Sequence, residues 1–243
     1  MRLTRVYAPG HLTAGRRHTI DGEAANHISR VLRMRTGDAL TLFDGRGGEY
    51  AARIEEFRVG AVMVTVGDRS AAIRESPLSL TLAQGVSRGE RMDWVVQKAT
   101  ELGVTRIIPV LTERTVVRLD ERQAERKLLH WQGIVIAACE QSGRDRIPAV
   151  DAPLNLTEFL GGADRRAMRV MLSPAASLGI ADLTPPEAGV VVLIGPEGGL
   201  AEAEQRSALA AGFAAVRLGP RVLRTETAAV AALTLIQHRF GDI

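Results

Sequence analysis

The feature that most restricts the fold of this chain is a regular alternation of short apolar strands and amphipathic helices after Pro77. Each strand is apolar along almost its whole length, whereas a strand with one solvated face would alternate apolar and polar side chains. The pattern therefore predicts an α/β domain in which helices cover both faces of a parallel sheet. The predicted strands are Leu78–Gln84, Arg106–Leu111, Met168–Leu172, Val190–Gly195 and Ala214–Gly219.

Helices are predicted between and after these strands. Apolar side chains recur at three- and four-residue spacing from Met92 to Leu102, which indicates an amphipathic helix. A longer helix is predicted from Glu121 to about Gln141, another after Ala201, and a last one from Thr227 to Arg239.

The first seventy residues have a different pattern, with short strands separated by glycine turns. Asp38–Phe43, Glu49–Ile54 and Ala61–Val66 are the predicted strands, and their close spacing is typical of a small barrel. A helix is predicted over Ala24–Arg35. The change of pattern near residues 70–76 predicts two domains, 1–72 and 73–243.

Arginine is concentrated in the first of these domains. Residues 1–72 contain 11 arginines and 8 acidic residues, whereas the rest of the chain is balanced, so the net charge of +3 comes from this part. An excess of arginine suits contacts with phosphates. The opening Met1–Tyr7 has no secretory signal, no apolar run is long enough to cross a bilayer, and a single cysteine excludes a disulfide framework. We expect a cytoplasmic protein without membrane association.

Three segments could carry chemistry. Leu193–Leu200 runs from a buried strand through a turn with three glycines and a proline, and it matches neither the dinucleotide nor the P-loop pattern. Leu218–Ala229 joins a strand to a helix, with Thr225 or Thr227 as the predicted N-cap and Glu226 in the first turn. Ala138–Pro148 is predicted to end a helix at Gly143. Taken one at a time, each is also explained as an ordinary turn or a capped helix.

Taken together, the segments resemble the 16S ribosomal RNA uracil-N3 methyltransferase family of the SPOUT superfamily. The family pattern G-P-E-G-G is present at Gly195–Gly199, and L-G-x-x-[IV]-L-R-x-E-T-A is present at Leu218–Ala228. The chain departs from the family pattern at Arg88, where a lysine is common, and at Ala201, where a serine or threonine would supply an N-cap oxygen. The remaining matches are Arg91–Asp93 with Gln97–Val104, Glu140–Arg144 and Val31–Asp38.

The resemblance implies a PUA-like barrel followed by a SPOUT domain with a carboxy-terminal trefoil knot. It also implies S-adenosylmethionine as cofactor, 16S rRNA of the small ribosomal subunit as substrate, and a homodimer. No metal is expected, because the five histidines and Cys139 lack metal-ligand spacing.

The same resemblance predicts the site residues. Arg224 would stabilise the uracil oxygens or form a salt bridge with Glu226, and Glu226 would accept a proton or cap its helix. Arg144 would hold a phosphate or assist the base, and Glu197 would orient a ligand or be purely structural. The predicted cofactor-binding residues are Leu172, Ile194, Gly195, Pro196, Glu197, Gly198, Gly199, Leu218, Gly219, Leu223, Thr225, Thr227 and Ala228. The predicted RNA-binding residues are Arg16, Arg17, Arg30, Arg33, Arg35, Arg88 and Arg91. For the first five of these, an ordinary solvated surface is the alternative.

Three other functions are compatible with parts of the pattern. A non-catalytic RNA-binding or ribosome-assembly protein would bind RNA without a cofactor, and the intact glycine turn argues against it. An oxidoreductase would need the G-x-G-x-x-G motif, which is missing. A related SPOUT enzyme acting on another base or on a ribose hydroxyl is disfavoured only by the amino-terminal match.

Overall fold

The computed structural model describes residues 4–72, 74–117 and 119–243, and it contains two compact units. The first unit holds the residues up to Glu75 together with Cys139–Ile147. The second holds Ser76–Ala138 and Pro148–Ile243. The boundary between residues 72 and 73 stays a prediction, and Ile73 itself lies outside the described residues.

The first unit is a five-stranded half-barrel in the strand order β1-β3-β4-β5-β2. Its pairs are antiparallel except β1 with β3. Along β5, Val62, Val64 and Val66 are buried while the residues between them are more exposed, so one face of the sheet packs against the core. The strands are β1 (Arg5–Tyr7), β2 (Arg17–Asp21), β3 (Ala39–Phe43), β4 (Glu49–Arg58) and β5 (Ala61–Arg69).

The helix predicted over Ala24–Arg35 is shorter than expected. Helix α1 covers Gly22–Asn26 and continues as a π-helical turn over His27–Val31. Beyond that point the prediction was wrong, because Arg33 adopts a left-handed backbone (φ 51°) that a right-handed helix cannot contain.

The second unit is built on a parallel sheet, as predicted. Its order is β11-β13-β10-β12-β6-β7-β8, with β9 also paired to β7, and every recorded pair is parallel. All five residues of the central strand β12 are buried, which explains its unbroken apolar sequence. The strands are β6 (Leu80–Gly85), β7 (Arg106–Leu111), β8 (Ala149–Val150), β9 (Leu154–Asn155), β10 (Met168–Leu172), β11 (Leu178–Gly179), β12 (Val190–Ile194) and β13 (Ala214–Arg217).

α-Helices accompany this sheet. The predicted end of α3 is confirmed: Gly143 has φ 95°, and its N–H donates to the carbonyl of Cys139. Within residues 4–72, 74–117 and 119–243, no helix combines the length and apolar character that a bilayer span requires. The helices are α2 (Glu90–Glu101), α3 (Glu121–Ser142), α4 (Leu156–Gly162), α5 (Glu202–Ala210) and α6 (Thr225–Phe240).

Candidate active site

A cavity of about 600 Å³ lies in the second unit, at the carboxyl ends of strands β10, β12 and β13. This is the edge at which open parallel sheets bind ligands. The volume falls within the range of roughly 300–1,000 Å³ that is typical of small-molecule sites.

The loop after β12 forms one wall of the cavity and depends on its glycines. The Gly199 N–H donates to the carbonyl of Pro196 at 2.8 Å, which turns the chain back on itself. A Cβ atom on Gly195 would lie 2.8 Å from the carbonyl carbon of Gly199, so no side chain fits there. Gly199 has φ 67°, and no protein atom lies within 4 Å of a Cβ placed on it. A ligand can therefore approach this backbone closely.

Glu197 in this loop is held by two donors from the segment that leads into α2. The backbone N–H of Arg88 donates to Oε1 at 3.0 Å, and Nη1 of Arg91 donates to the same oxygen at 2.8 Å. Partial burial acts to raise the pKa of Glu197, but these hydrogen bonds outweigh it and the pKa lies below its ordinary value. Glu197 is therefore a carboxylate that braces the loop.

The loop after β13 forms the opposite wall and leads into α6. Thr225 is the first residue of that helix, and Arg224 occupies the N-cap position without a side-chain cap. The predicted N-cap at Thr225 or Thr227 was therefore wrong. The Thr225 hydroxyl instead donates to the carbonyl of Gly195 at 2.7 Å, which satisfies a buried acceptor in the other loop.

Glu226 supplies the clearest sign that a ligand belongs in the cavity. Its side chain is 17% exposed, and Oε1 lies 4.0 Å from Nε of Arg91. Oε2 is buried, and none of the described residues donates a hydrogen bond to it. A buried carboxylate oxygen without a donor is costly, so the site fits a ligand that brings an N–H or O–H group.

The cavity is otherwise strongly basic. Arg224 lines it but forms no ion pair with Glu226 among the described contacts, and Arg91 is the basic neighbour of that carboxylate. The excess of positive charge suits an anionic substrate. The charged lining residues are Arg91, Arg114, Arg217, Arg221, Arg224, Glu197 and Glu226.

Most of the predicted site residues meet at this cavity. The cavity is lined by Arg224, by Glu226 and by every predicted cofactor-binding residue except Thr227. It is also lined by Arg91, which was predicted to contact RNA. Thr227 is exposed on the first turn of α6 and is not part of the described lining. Arg88 is exposed just before α2.

The other predicted residues belong to the first unit. Arg144 is 4% exposed, and its guanidinium is bound by the carboxylate of Glu75. Arg17 pairs with Glu55 at 2.7 Å. The arginines predicted to contact RNA from this unit are all exposed: Arg16, Arg17, Arg30, Arg33 and Arg35.

Several lining residues were not predicted from sequence. Arg114 follows the carboxyl end of β7, and its Nη1 donates to the carbonyl of Gly198 at 2.9 Å. The strand-end rule that identified the glycine loop would also have pointed to Thr112–Thr115. The other unpredicted lining residues are Ser173, Pro174, Leu200, Gln205, Val216, Arg217, Arg221 and Val222.

Among the residues that the structure describes, no group of three or more His, Cys, Asp or Glu side chains is arranged to hold a metal ion.

Comparison with known proteins assigns both parts of the chain. Residues 74–237 match the model of an RNA methyltransferase domain, and residues 20–56 match that of an RNA methyltransferase PUA domain. A relative from Buchnera aphidicola, named ribosomal RNA small subunit methyltransferase E, is 32% identical over 100% of this chain and 98% of its own length.

Solved structures agree over the whole chain. A Legionella pneumophila methyltransferase in complex with S-adenosylmethionine is 42% identical, with a TM-score of 0.96 and full coverage of both chains. Ribosomal RNA small subunit methyltransferase E from Neisseria gonorrhoeae, also bound to S-adenosylmethionine, is 38% identical, with a TM-score of 0.94 and the same coverage. These matches over the half-barrel and the parallel-sheet unit show that the chain belongs to the ribosomal RNA small subunit methyltransferase E family.

Proposed function

We propose that this protein transfers a methyl group from S-adenosylmethionine to N3 of a uridine in the 16S rRNA of the small ribosomal subunit. The observation that carries the proposal is the unpartnered Oε2 of Glu226, which lies in a basic cavity also lined by Arg224. The family relatives are named for methylation of small-subunit rRNA, and two similar structures hold S-adenosylmethionine.

The two loops would hold the cofactor through their backbones. Gly195–Leu200 and Leu218–Leu223 face the same cavity, and the open space beside Gly199 leaves room for a ligand. When bound, S-adenosylmethionine supplies an electrophilic methyl group and leaves as the neutral thioether S-adenosylhomocysteine. The predicted cofactor residues other than Thr227 are thus grouped where such a ligand would fit.

Glu226 is the proton acceptor in this proposal. The N3 of uracil carries a proton at neutral pH, and that proton must leave before or while the N3–methyl bond forms. The free Oε2 takes this proton, and the carboxyl group later releases it to solvent. Arg91, 4.0 Å from Oε1, holds Glu226 in place from the other side.

Arg224 is the electrostatic group in this proposal. Removal of the N3 proton puts negative charge on O2 and O4 of the uracil, and a guanidinium can donate to such oxygens. Arg224 is the N-cap of α6 and Glu226 is the second residue of that helix, so a single helix terminus presents both groups. A metal is not required for this chemistry.

The first unit would dock the rRNA. Arg16, Arg30, Arg33 and Arg35 are exposed, and none of them forms an ion pair with a residue that the structure describes, which favours contacts between their guanidinium groups and phosphates. For Arg144, the bond to Glu75 supports a structural role, and its catalytic role remains only a sequence prediction.

The remaining parts of the proposal concern assembly. We include a homodimer, supported by the exposed apolar side chains of Leu178, Val222 and Leu235 in the second unit. We also include the carboxy-terminal trefoil knot. Helix α6, which follows β13 in the chain, packs against α2, and this packing supports the proposal. We also propose a cytoplasmic location, because the proposed substrate is a small ribosomal subunit.

The deciding experiment combines the purified protein with labelled S-adenosylmethionine and small subunits that lack the modification. Nucleoside mass spectrometry should find N3-methyluridine at one site. Another methylated base, or a methylated ribose, would assign the protein to a different SPOUT reaction. RNA binding without transfer would favour the non-catalytic assembly protein. Sedimentation of the purified protein tests the dimer separately.

A further inference from the structure

A glutamine is fully buried near the end of strand β6. Gln84 is 0% exposed and pairs in register with Ile194, at the point where the central strand enters the glycine loop. A side chain with this much polarity is rarely buried completely unless it has partners.

Its amide group links the two loops that line the cavity. Nε2 of Gln84 donates to Thr225 Oγ1 at 2.9 Å and lies 3.4 Å from the carbonyl oxygen of Gly195. Thr225 Oγ1 in turn donates to that same carbonyl at 2.7 Å. Hydrogen bonds among Gln84, Thr225 and Gly195 therefore form a small ring. This ring joins the loop after β12 to the start of α6.

The stability of the fold gains little from the amide of Gln84. The carbonyl of Gly195 keeps its bond from Thr225 when the amide is removed, and the carbonyl of Gly85, which also accepts from Nε2, has a second donor in Ser87 Oγ. Oε1 of Gln84 is itself buried, and no described residue donates a hydrogen bond to it, which acts against folding. A methionine at this position would fill similar space without that unpaired oxygen.

We propose that Gln84 and Thr225 are positioning residues for methyl transfer, and the inference rests on the function proposed above. Their hydrogen bonds fix the separation of Gly195, on one wall of the cavity, from the start of α6, which carries Arg224 and Glu226. Neither side chain touches the reacting atoms. They act by fixing the position of the cofactor loops relative to the start of α6. This position matters because small displacements of reacting groups slow a reaction strongly.

The test uses the full-length protein with substitutions Gln84→Met, Thr225→Val and Thr225→Ser. Thr225→Val keeps the shape and removes the donor, whereas Thr225→Ser keeps the hydroxyl. Thr100→Val is the matched control, because Thr100 is also buried and its Oγ1 donates to the carbonyl of Val96 at 2.8 Å on helix α2. The measurements are kcat and KM with small subunits, calorimetric affinity for S-adenosylmethionine, and the melting temperature.

Gln84→Met and Thr225→Val should each lower kcat by about tenfold to a hundredfold, with KM for the subunit unchanged. Gln84→Met should melt no lower than the wild type, and Thr225→Ser should recover most of the rate. Thr100→Val should lower the melting temperature and leave kcat unchanged.

Wild-type kcat and cofactor affinity in both Gln84→Met and Thr225→Val would overturn the inference. So would a loss of rate that follows melting temperature across all variants, Thr100→Val included. If the wild type binds the cofactor but methylates no rRNA, the proposed function fails. The cofactor affinities then decide the inference: weaker binding in the two variants upholds the positioning pair, and unchanged binding overturns it.

Discussion

The guanidinium of Arg144 holds the carboxylate of Glu75 through two nitrogens, with Nη2 donating to Oε2 at 2.6 Å and Nε donating to the same oxygen at 3.1 Å. Both side chains are largely buried, at 5% and 15% exposure. Oε1 of Glu75 also accepts from the backbone N–H groups of Asp145 and Arg146. The pair therefore anchors the chain after α3 within the first unit.

Arg144→Met should destabilise the protein by about 3 kcal/mol, because it leaves the Glu75 carboxylate buried without its counter-charge. Glu75→Gln added to Arg144→Met should recover much of that loss, since the amide oxygen still accepts from the two backbone groups. Urea unfolding measures both effects. A stable Arg144→Met protein with normal cofactor affinity and no turnover would restore the catalytic assignment of Arg144.

Arg224→Ala should lower kcat by about a hundredfold to a thousandfold and leave cofactor affinity nearly unchanged, because the guanidinium acts on charge that develops during transfer. The kcat of Arg224→Lys should lie between those of the wild type and Arg224→Ala, since an ammonium supplies charge but lacks the planar pair of donors. Single-turnover methylation of small subunits measures the rate, with exposed Arg165→Ala as the control. Normal turnover in the alanine variant would remove Arg224 from the site.

Glu226→Gln should lower kcat by about a hundredfold or more at pH 7, because the amide cannot accept the N3 proton. Its residual rate should rise about tenfold per pH unit, as solvent removes the proton instead. The comparison is Glu202→Gln on α5, whose side chain is 90% exposed. A Glu226→Gln enzyme with the pH profile of the wild type would rule out Glu226 as the acceptor.

Replacing Arg30, Arg33 and Arg35 together with alanine should weaken rRNA binding and reduce the slope of log affinity against log salt by about two, as three phosphate contacts are lost. Cofactor affinity should not change, because these residues lie in the first unit. The control replaces three exposed arginines of the second unit, Arg122, Arg126 and Arg165. An equal loss of rRNA affinity in both triple variants would mean that the overall positive charge of the protein, and not this surface, binds the RNA.

Burial raises the pKa of the Cys139 thiol to about 12, although Arg144 and Arg5 act in the opposite direction. The native protein at pH 8 should not react with a thiol reagent, and the denatured protein should react fully. Between the ordinary pKa of 9.0 and about 12 the unfolded chain loses a proton that the folded chain keeps, so stability should fall as pH rises. The slope should approach about 1.4 kcal/mol per pH unit.

Cys139→Ala isolates this contribution, since it removes the thiol and leaves the other groups that titrate in alkali. The difference in unfolding free energy between the two proteins should shrink from pH 9 upwards. A difference that stays constant would mean that the folded thiol ionises as readily as the unfolded one.

The sequence predicts the core of the second unit well because its central strands are buried on both faces. Strands such as Val190–Ile194 are apolar throughout, and that pattern does not depend on their partners. Short strands leave no such signal: Arg5–Tyr7, Ala149–Val150 and Leu178–Gly179 form only because a neighbour supplies the hydrogen bonds.

The same distinction applies to the site. The glycine loop is visible in sequence because its turn needs particular residues at adjacent positions. Gln84 is not visible in this way, because its partner Thr225 lies 141 residues away along the chain. Only the strand order brings Gln84 to Thr225, and no local pattern encodes that order.

The inclusion of Cys139–Ile147 in the first unit makes that unit discontinuous along the chain. The N–H of Ile147 donates to the carbonyl of Gly45, and the N–H of Gly47 donates to the carbonyl of Asp145. During translation the five strands of the half-barrel leave the exit tunnel well before these partners are synthesised. The half-barrel can therefore be completed only after α3 has emerged, when the first segment of the second unit has been made and its second segment has not. A recombinant fragment ending near Glu75 would lack a piece of its own structure.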